Sequence, residues 1–135
     1  MAVALLEGGR SISFAADVEP EKFEDVVSQL KDVPGLTSVK LGFEVGLGLG
    51  LREAVEVVHD SGLSAIYDHQ KAGNDIPATG VNFGRTMARG GVDSAIIFPF
   101  TGPVTQEAWT KDLQDNGIRV ITGAEMTHDQ IAASS

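Results

Sequence analysis

The 135-residue sequence predicts an α/β chain in which parallel strands alternate with helices. Three observations carry that expectation. Strand-like apolar runs begin near residues 12, 38, 64, 93 and 118, at steps of 26, 26, 29 and 25 residues. Apolar residues at helical spacing fill the intervals, and Pro or Gly punctuates the junctions. A parallel pair cannot be closed by a tight turn, so this repeat calls for right-handed helical crossovers.

The first strand covers residues 11–17 (SISFAAD), with Ile12, Phe14 and Ala16 on one face. Pro20 suits a first helical turn. Phe23, Val26, Val27 and Leu30 then recur at i, i+3, i+4 and i+7, the stripe of an amphipathic helix. Pro34-Gly35 ends that unit. The second strand is residues 38–42 (SVKLG), followed by a Gly-rich turn and a helix carrying Leu51, Ala54, Val55 and Val58. Residues 64–68 (SAIYD) form the third strand, with a weaker helix near residues 81–89. Residues 93–98 (DSAIIF) form the fourth, with a helix through Ala108, Trp109 and Leu113. Residues 118–123 (IRVITG) form the fifth. Residues 1–135 make one domain, because the chain is too short for two ordinary cores. An open doubly wound sheet and part of a (β/α)8 barrel both fit this pattern. In either, the loops after the strands' carboxyl ends hold the chemistry.

Composition narrows the function. The chain has no cysteine, so it has neither disulfides nor thiolate metal ligands. No run approaches 18 apolar residues, and the start lacks a signal-peptide pattern; a soluble, cytoplasmic protein is expected. Ten basic against 19 acidic residues give a net charge of −9, which repels phosphate backbones. Neither nucleic acid nor membrane is an expected partner, although a small anion can still bind in a locally positive pocket. Gly46, Gly48 and Gly50 are spaced GxGxG, and Leu51 stands where a dinucleotide fingerprint needs its third glycine.

The chemistry concentrates in residues 67–80 (YDHQKAGNDIPATG). Asp68 closes an apolar strand, Lys71 lies three residues on, and Asp75 four beyond that. Carboxylates on both sides keep an ammonium group protonated. A lysine so held can deliver a proton or stabilise a carbanion. The alternative is a solvated loop with a chance ion pair. His69 and His128 fall in site loops, without the spacing that would anchor a metal. His59, beside Asp60 on a helix, is expected at the surface, and Trp109 in core or interface packing.

This loop, with Asp75-Ile76-Pro77 and Thr79, resembles the DxKxxDI signature of orotidine 5′-phosphate decarboxylases. Other segments are similar in order and spacing: residues 14–18 (FAADV), 39–43 (VKLGF), 91–102 (GVDSAIIFPFTG) and 124–128 (AEMTH). The resemblance covers most of residues 11–128. It implies the amino-terminal portion, about five strands and four helices, of a (β/α)8 barrel of the ribulose-phosphate-binding type. It further implies conversion of orotidine 5′-phosphate to uridine 5′-phosphate and carbon dioxide in pyrimidine biosynthesis, with no cofactor and no metal. In that reading Lys71 stabilises charge at C6 and returns the proton, Asp68 and Asp75 hold Lys71, and Lys40 positions the aspartates. Asp17 and Thr79 take ribose hydroxyls, and Ile76, Met126 and Thr127 are further substrate contacts. Asp75 and Thr79 act in the neighbouring subunit's site, so a homodimer-like interface through the Asp75 loop is expected.

The sequence departs from the family pattern in two ways. The signature spaces its charges DxKxxD, whereas Asp68, Lys71 and Asp75 read DxxKxxxD. Residues three apart in a strand point to opposite faces, so Lys71 needs a bulge or the loop to reach the pocket beside Asp68. The family's later strands, with their glycine-rich phosphate loop and its arginine, are absent. A second polypeptide supplying that half of the barrel is therefore expected, with Met1 and the polar residues 132–135 read as the ends of a complete product. Two alternatives stay open: a non-catalytic half barrel or truncation fragment, and a relative of the magnesium-dependent keto-gulonate-phosphate decarboxylases and hexulose-phosphate synthases.

Overall fold

The computed structural model describes residues 10–69 and 72–124. Strands β1 (Ile12–Ala16), β2 (Leu36–Leu41), β3 (Ser64–Asp68), β4 (Ser94–Ile97) and β5 (Arg119–Thr122) alternate with helices. The main helices are α1 (Pro20–Ser28), α3 (Leu51–Asp60), α4 (Gly80–Gly90) and α5 (Pro103–Asp115); a short α2 (Phe43–Val45) precedes α3. Every neighbouring strand pair is parallel, and the order is β1-β2-β3-β4-β5. A doubly wound sheet reverses direction at a switch point, whereas a barrel adds each strand beside the last. The sequential order is that of a partial (β/α) barrel.

Strand alternation divides the sheet into two unlike faces. Val39, Leu41, Ala65, Tyr67, Ala95 and Ile97 belong to one hydrophobic cluster with Phe23, Val27, Val55, Val58 and Leu113 of the helices. Their alternates Lys40, Ile66, Asp68 and Ile96 lie on the other face. In a closed barrel that face points inward. Helix α4 buries Gly80, Gly84, Met87 and Gly90, and three glycines in its buried stripe explain its weak apolar signal in the sequence.

The segment expected to be a Gly-rich turn is helical instead. α2 continues into a five-residue π-helical turn, Gly46–Gly50, and the path breaks at Gly50 (φ +96°, ψ 133°), which caps the amino end of α3. Gly46 has helical φ −62° and ψ −35°, and a methyl group on it would stand 3.4 Å from the Tyr67 ring. Packing onto β3 thus overrides the low helix propensity of glycine. Strand β2 starts at Leu36 rather than residue 38, because β1 already pairs there through Ile12 before the register shifts by one residue. The other strands except β3 are shorter at their ends than the apolar runs suggest. Among the described residues, no helix is long and apolar enough to cross a membrane.

Asp93, expected to open the fourth strand, precedes it and ties four elements together. Its carboxylate accepts the Ala65 N–H at 2.8 Å and lies 2.7 Å from His59 Nε2. Its own N–H donates to the Ala65 carbonyl, and its carbonyl accepts from Arg119 N–H. His59 is exposed, as expected, and it also fastens the last turn of α3 to the start of β4. Replacing Asp93 with Ala removes both carboxylate bonds, and the loss should be about 1–3 kcal/mol of stability. His59→Ala removes one and should cost less. Urea denaturation of the three proteins measures both effects.

Candidate active site

The carboxyl ends of the strands are where a barrel places its reactive groups. Lys40 sits one residue before the end of β2, and Asp68 is the last residue of β3. Both occupy the face away from the helices. Lys40 Nζ lies 3.0 Å from Asp68 Oδ2, with the Asp68 side chain 7% exposed and that of Lys40 33%. A carboxylate so enclosed is costly unless opposite charge and hydrogen bonds compensate it. Lys40 supplies that compensation from the neighbouring strand. The pair stands at the carboxyl end of a face whose deeper positions include the buried Ser38, Ser64 and Ser94.

Asp17 follows β1 and is exposed. Its Oδ1 would be 3.6 Å from a methyl group on Gly42, just past the end of β2. The first three strand ends therefore contribute Asp17, Lys40 and Asp68 to one rim. Asp75 and Ile76 are exposed in the loop before α4. The Asp75 carboxylate accepts the Ile76 N–H at 2.7 Å, and the Thr79 hydroxyl donates to the Ile76 carbonyl at 2.8 Å. Among the described residues, no ion pair joins Asp75 to Lys40. The structure thus brings Lys40 and Asp68 together and leaves Asp75 and Thr79 on a separate, solvent-facing turn. Lys71, Met126, Thr127 and His128 lie outside the described residues.

Tyr67 occupies the opposite face from Asp68, and its hydroxyl lies 3.2 Å from His69 Nδ1. Burial, and secondarily the negative charge of Asp68, raise the phenol pKa above its usual 10.0. Among the described residues, no three His, Asp or Glu side chains gather as a metal ion would need. Trp109 is buried as expected, but its indole N–H also donates to the Ile76 carbonyl at 3.1 Å. That bond was legible in principle, because a buried indole N–H normally finds an acceptor. Asn74, whose side chain accepts the Phe100 N–H at 3.1 Å, offered only the weaker hint of an amide beside Gly73 in a turn.

No protein-family model and no curated protein sequence matches the chain. Solved structures do. An orotidine 5′-monophosphate decarboxylase from Methanocaldococcus jannaschii, complexed with the inhibitor BMP, superposes with a TM-score of 0.81 at 23% identity, over 93% of this chain and 57% of that one. This chain has the fold of the first part of that barrel. A second structure from the same organism gives 0.77 at 23% identity, over 91% and 58%. The orotidine 5′-phosphate decarboxylase of Pyrococcus horikoshii OT3 gives 0.73 at 25% identity, over 90% and 55%. The chain spans little more than half the length of these neighbours. The partial (β/α) barrel expected from the sequence is the observed fold, and its structural neighbours are the decarboxylases that the sequence resembles.

The chain contains a single tyrosine, so the Tyr67 environment can be titrated directly. Phenolate absorbance should appear only above the ordinary pKa of 10.0. Asp68→Asn should lower that pKa part of the way, because the burial contribution remains. The unfolded chain releases this proton first. Stability should therefore fall as pH rises from 10 through the folded-state value, and this loss should be smaller in the Asp68→Asn protein.

Proposed function

We propose that the chain is the catalytic half of an orotidine 5′-phosphate decarboxylase. The observation that carries this reading is the Lys40–Asp68 ion pair, 3.0 Å long, across adjacent strand ends. The resemblance assigns a network lysine and a catalytic aspartate to these positions. The neighbours' fold, over at least 90% of this chain, adds support.

In this reading the carboxylate leaves as carbon dioxide, and the electron pair of the broken bond remains on the pyrimidine C6. The Lys71 ammonium stabilises that charge and transfers its proton to C6, giving uridine 5′-phosphate. Solvent then reprotonates the lysine. Asp68 and Asp75 keep Lys71 protonated before the transfer, and Lys40 holds Asp68 in place. Asp17 and Thr79 bind ribose hydroxyls, with Ile76, Met126 and Thr127 at the base. The exposed Asp75 turn is suited to reach a neighbouring protomer's site, through a homodimer-like contact. No cofactor takes part.

The five strands of the described residues do not close an eight-stranded barrel, and β1 and β5 end their sheet. Such edges invite pairing with further strands. A second polypeptide of roughly 90–120 residues supplies the rest, given the length of about 200–250 residues of a whole barrel. It brings the phosphate grip, whose remote binding energy lowers the barrier at C6. The assembly is cytoplasmic in this reading.

Lys71→Ala should abolish orotidine 5′-phosphate turnover by the assembled enzyme while leaving circular dichroism and assembly unchanged. Substantial residual turnover would remove Lys71 from its role. The shared site has its own test. Inactive Lys71→Ala and Asp75→Ala assemblies, mixed under conditions of demonstrated subunit exchange, should regain activity. One hybrid site carries both lesions and the other neither. A mixture as inactive as its parents would place Asp75 in its own chain's pocket.

A further inference from the structure

The loop after β3 is bonded residue by residue to a segment far away in sequence. Phe98 N–H donates to the Ala72 carbonyl at 2.7 Å. The Thr101 hydroxyl donates to the Gly73 carbonyl at 3.2 Å, and Phe100 N–H to the Asn74 side-chain oxygen at 3.1 Å. The Thr105 hydroxyl makes a long contact of 3.5 Å to the Asp75 carbonyl, and the Trp109 indole donates to the Ile76 carbonyl at 3.1 Å. Five consecutive residues, 72 to 76, thus accept from donors within residues 98–109. All the donors lie on the stretch from the end of β4 into α5.

The strip is anchored in the core at its α5 end. Thr105 and Trp109 are buried, at 4% and 5% exposure. Trp109 packs against Phe83 with ring centroids 4.9 Å apart, and Phe83 meets Tyr67 at 6.4 Å. Tyr67 in turn contacts His69 at the loop's start. Gly73 has φ +88°, a conformation that side chains rarely adopt, and a methyl group there would stand 3.3 Å from Ile97 and 3.4 Å from Phe98 N. The loop follows the contour of the β4–α5 stretch at both ends and in the middle.

We propose that residues 98–109 are a template that sets the course of the loop, which makes Asn74 and Trp109 positioning residues for the site. They act through the backbone of residues 72–76, between Lys71 and the Asp75 turn. The consequence for catalysis rests on the decarboxylase reading; the template itself does not. A chain of bonds made to one continuous strip should loosen as a unit, because each bond holds the backbone in the geometry that the next requires.

The sole tryptophan gives one indole N–H resonance, which reports the far end of the strip. In the full chain, Asn74→Ala breaks the bond in the middle. Indole N–H exchange should then quicken by about tenfold or more, with the amides of β2 and β4 unchanged, as expected of local rather than global opening. An indole proton as protected as in the unaltered chain would overturn the proposal. Trp109→Phe keeps an aromatic ring against Phe83 while removing the donor, so it guards against misfolding. It should quicken exchange at the Phe98 and Phe100 amides, and unchanged rates there would equally overturn it. In the active assembly, Trp109→Phe should lower kcat by about 10- to 100-fold with little change in KM, the signature of displaced reacting groups. An inactive parent assembly would defeat the decarboxylase reading while leaving both exchange results to judge the template.

Discussion

Lys40 and Asp68 meet because β2 and β3 are parallel neighbours whose alternation sends both side chains to the same face. Lys40 pairs in register with Ile66, so Asp68 is two residues further along on that face. One residue of slip in either strand would turn its charge into the helix-packed core. The apolar cluster through Val39, Leu41, Ala65 and Tyr67 fixes that register, since every alternative would expose it. The site's charge pair is therefore a consequence of core packing. On the other face the Tyr67 phenol is harder to ionise, first because it is itself buried and second because of the Asp68 charge.

Much of this was readable from residue order. The repeat of about 26 residues gave the parallel strands, and the stripes of α1, α3 and α5 gave their crossovers. Periodicity alone left the choice between a doubly wound sheet and a barrel open, because both produce the same repeat and differ only in which edge each strand joins; the resemblance pointed to the barrel. The helical continuation through Gly46–Gly50 was also hidden. Local propensity there favours a turn, and contact with Tyr67 decides otherwise.

The candidate site was legible unevenly for the same reason. Asp68 announces itself as a charge ending an apolar strand, and the resemblance identified Lys40. What the residue order did not reveal was how the loop beyond Asp68 is held. Four of the five acceptors are backbone carbonyls, which every residue carries, and the donors lie 26 or more residues away. Long-range backbone contacts leave no local composition signal. His59 lies at the surface as expected, but its Asp93 partner, 34 residues away, left no local signal either.

The central proposal is that the charge pair of β2 and β3 belongs to a decarboxylase whose barrel another polypeptide completes. Carbon dioxide release from carboxyl-labelled orotidine 5′-phosphate measures it most directly. The tagged chain would be purified from its own cells with whatever accompanies it and compared with the isolated recombinant chain. The account predicts label release by the assembly and none above background by the folded chain alone. Equal release by the isolated chain, or none by the assembly, would contradict it.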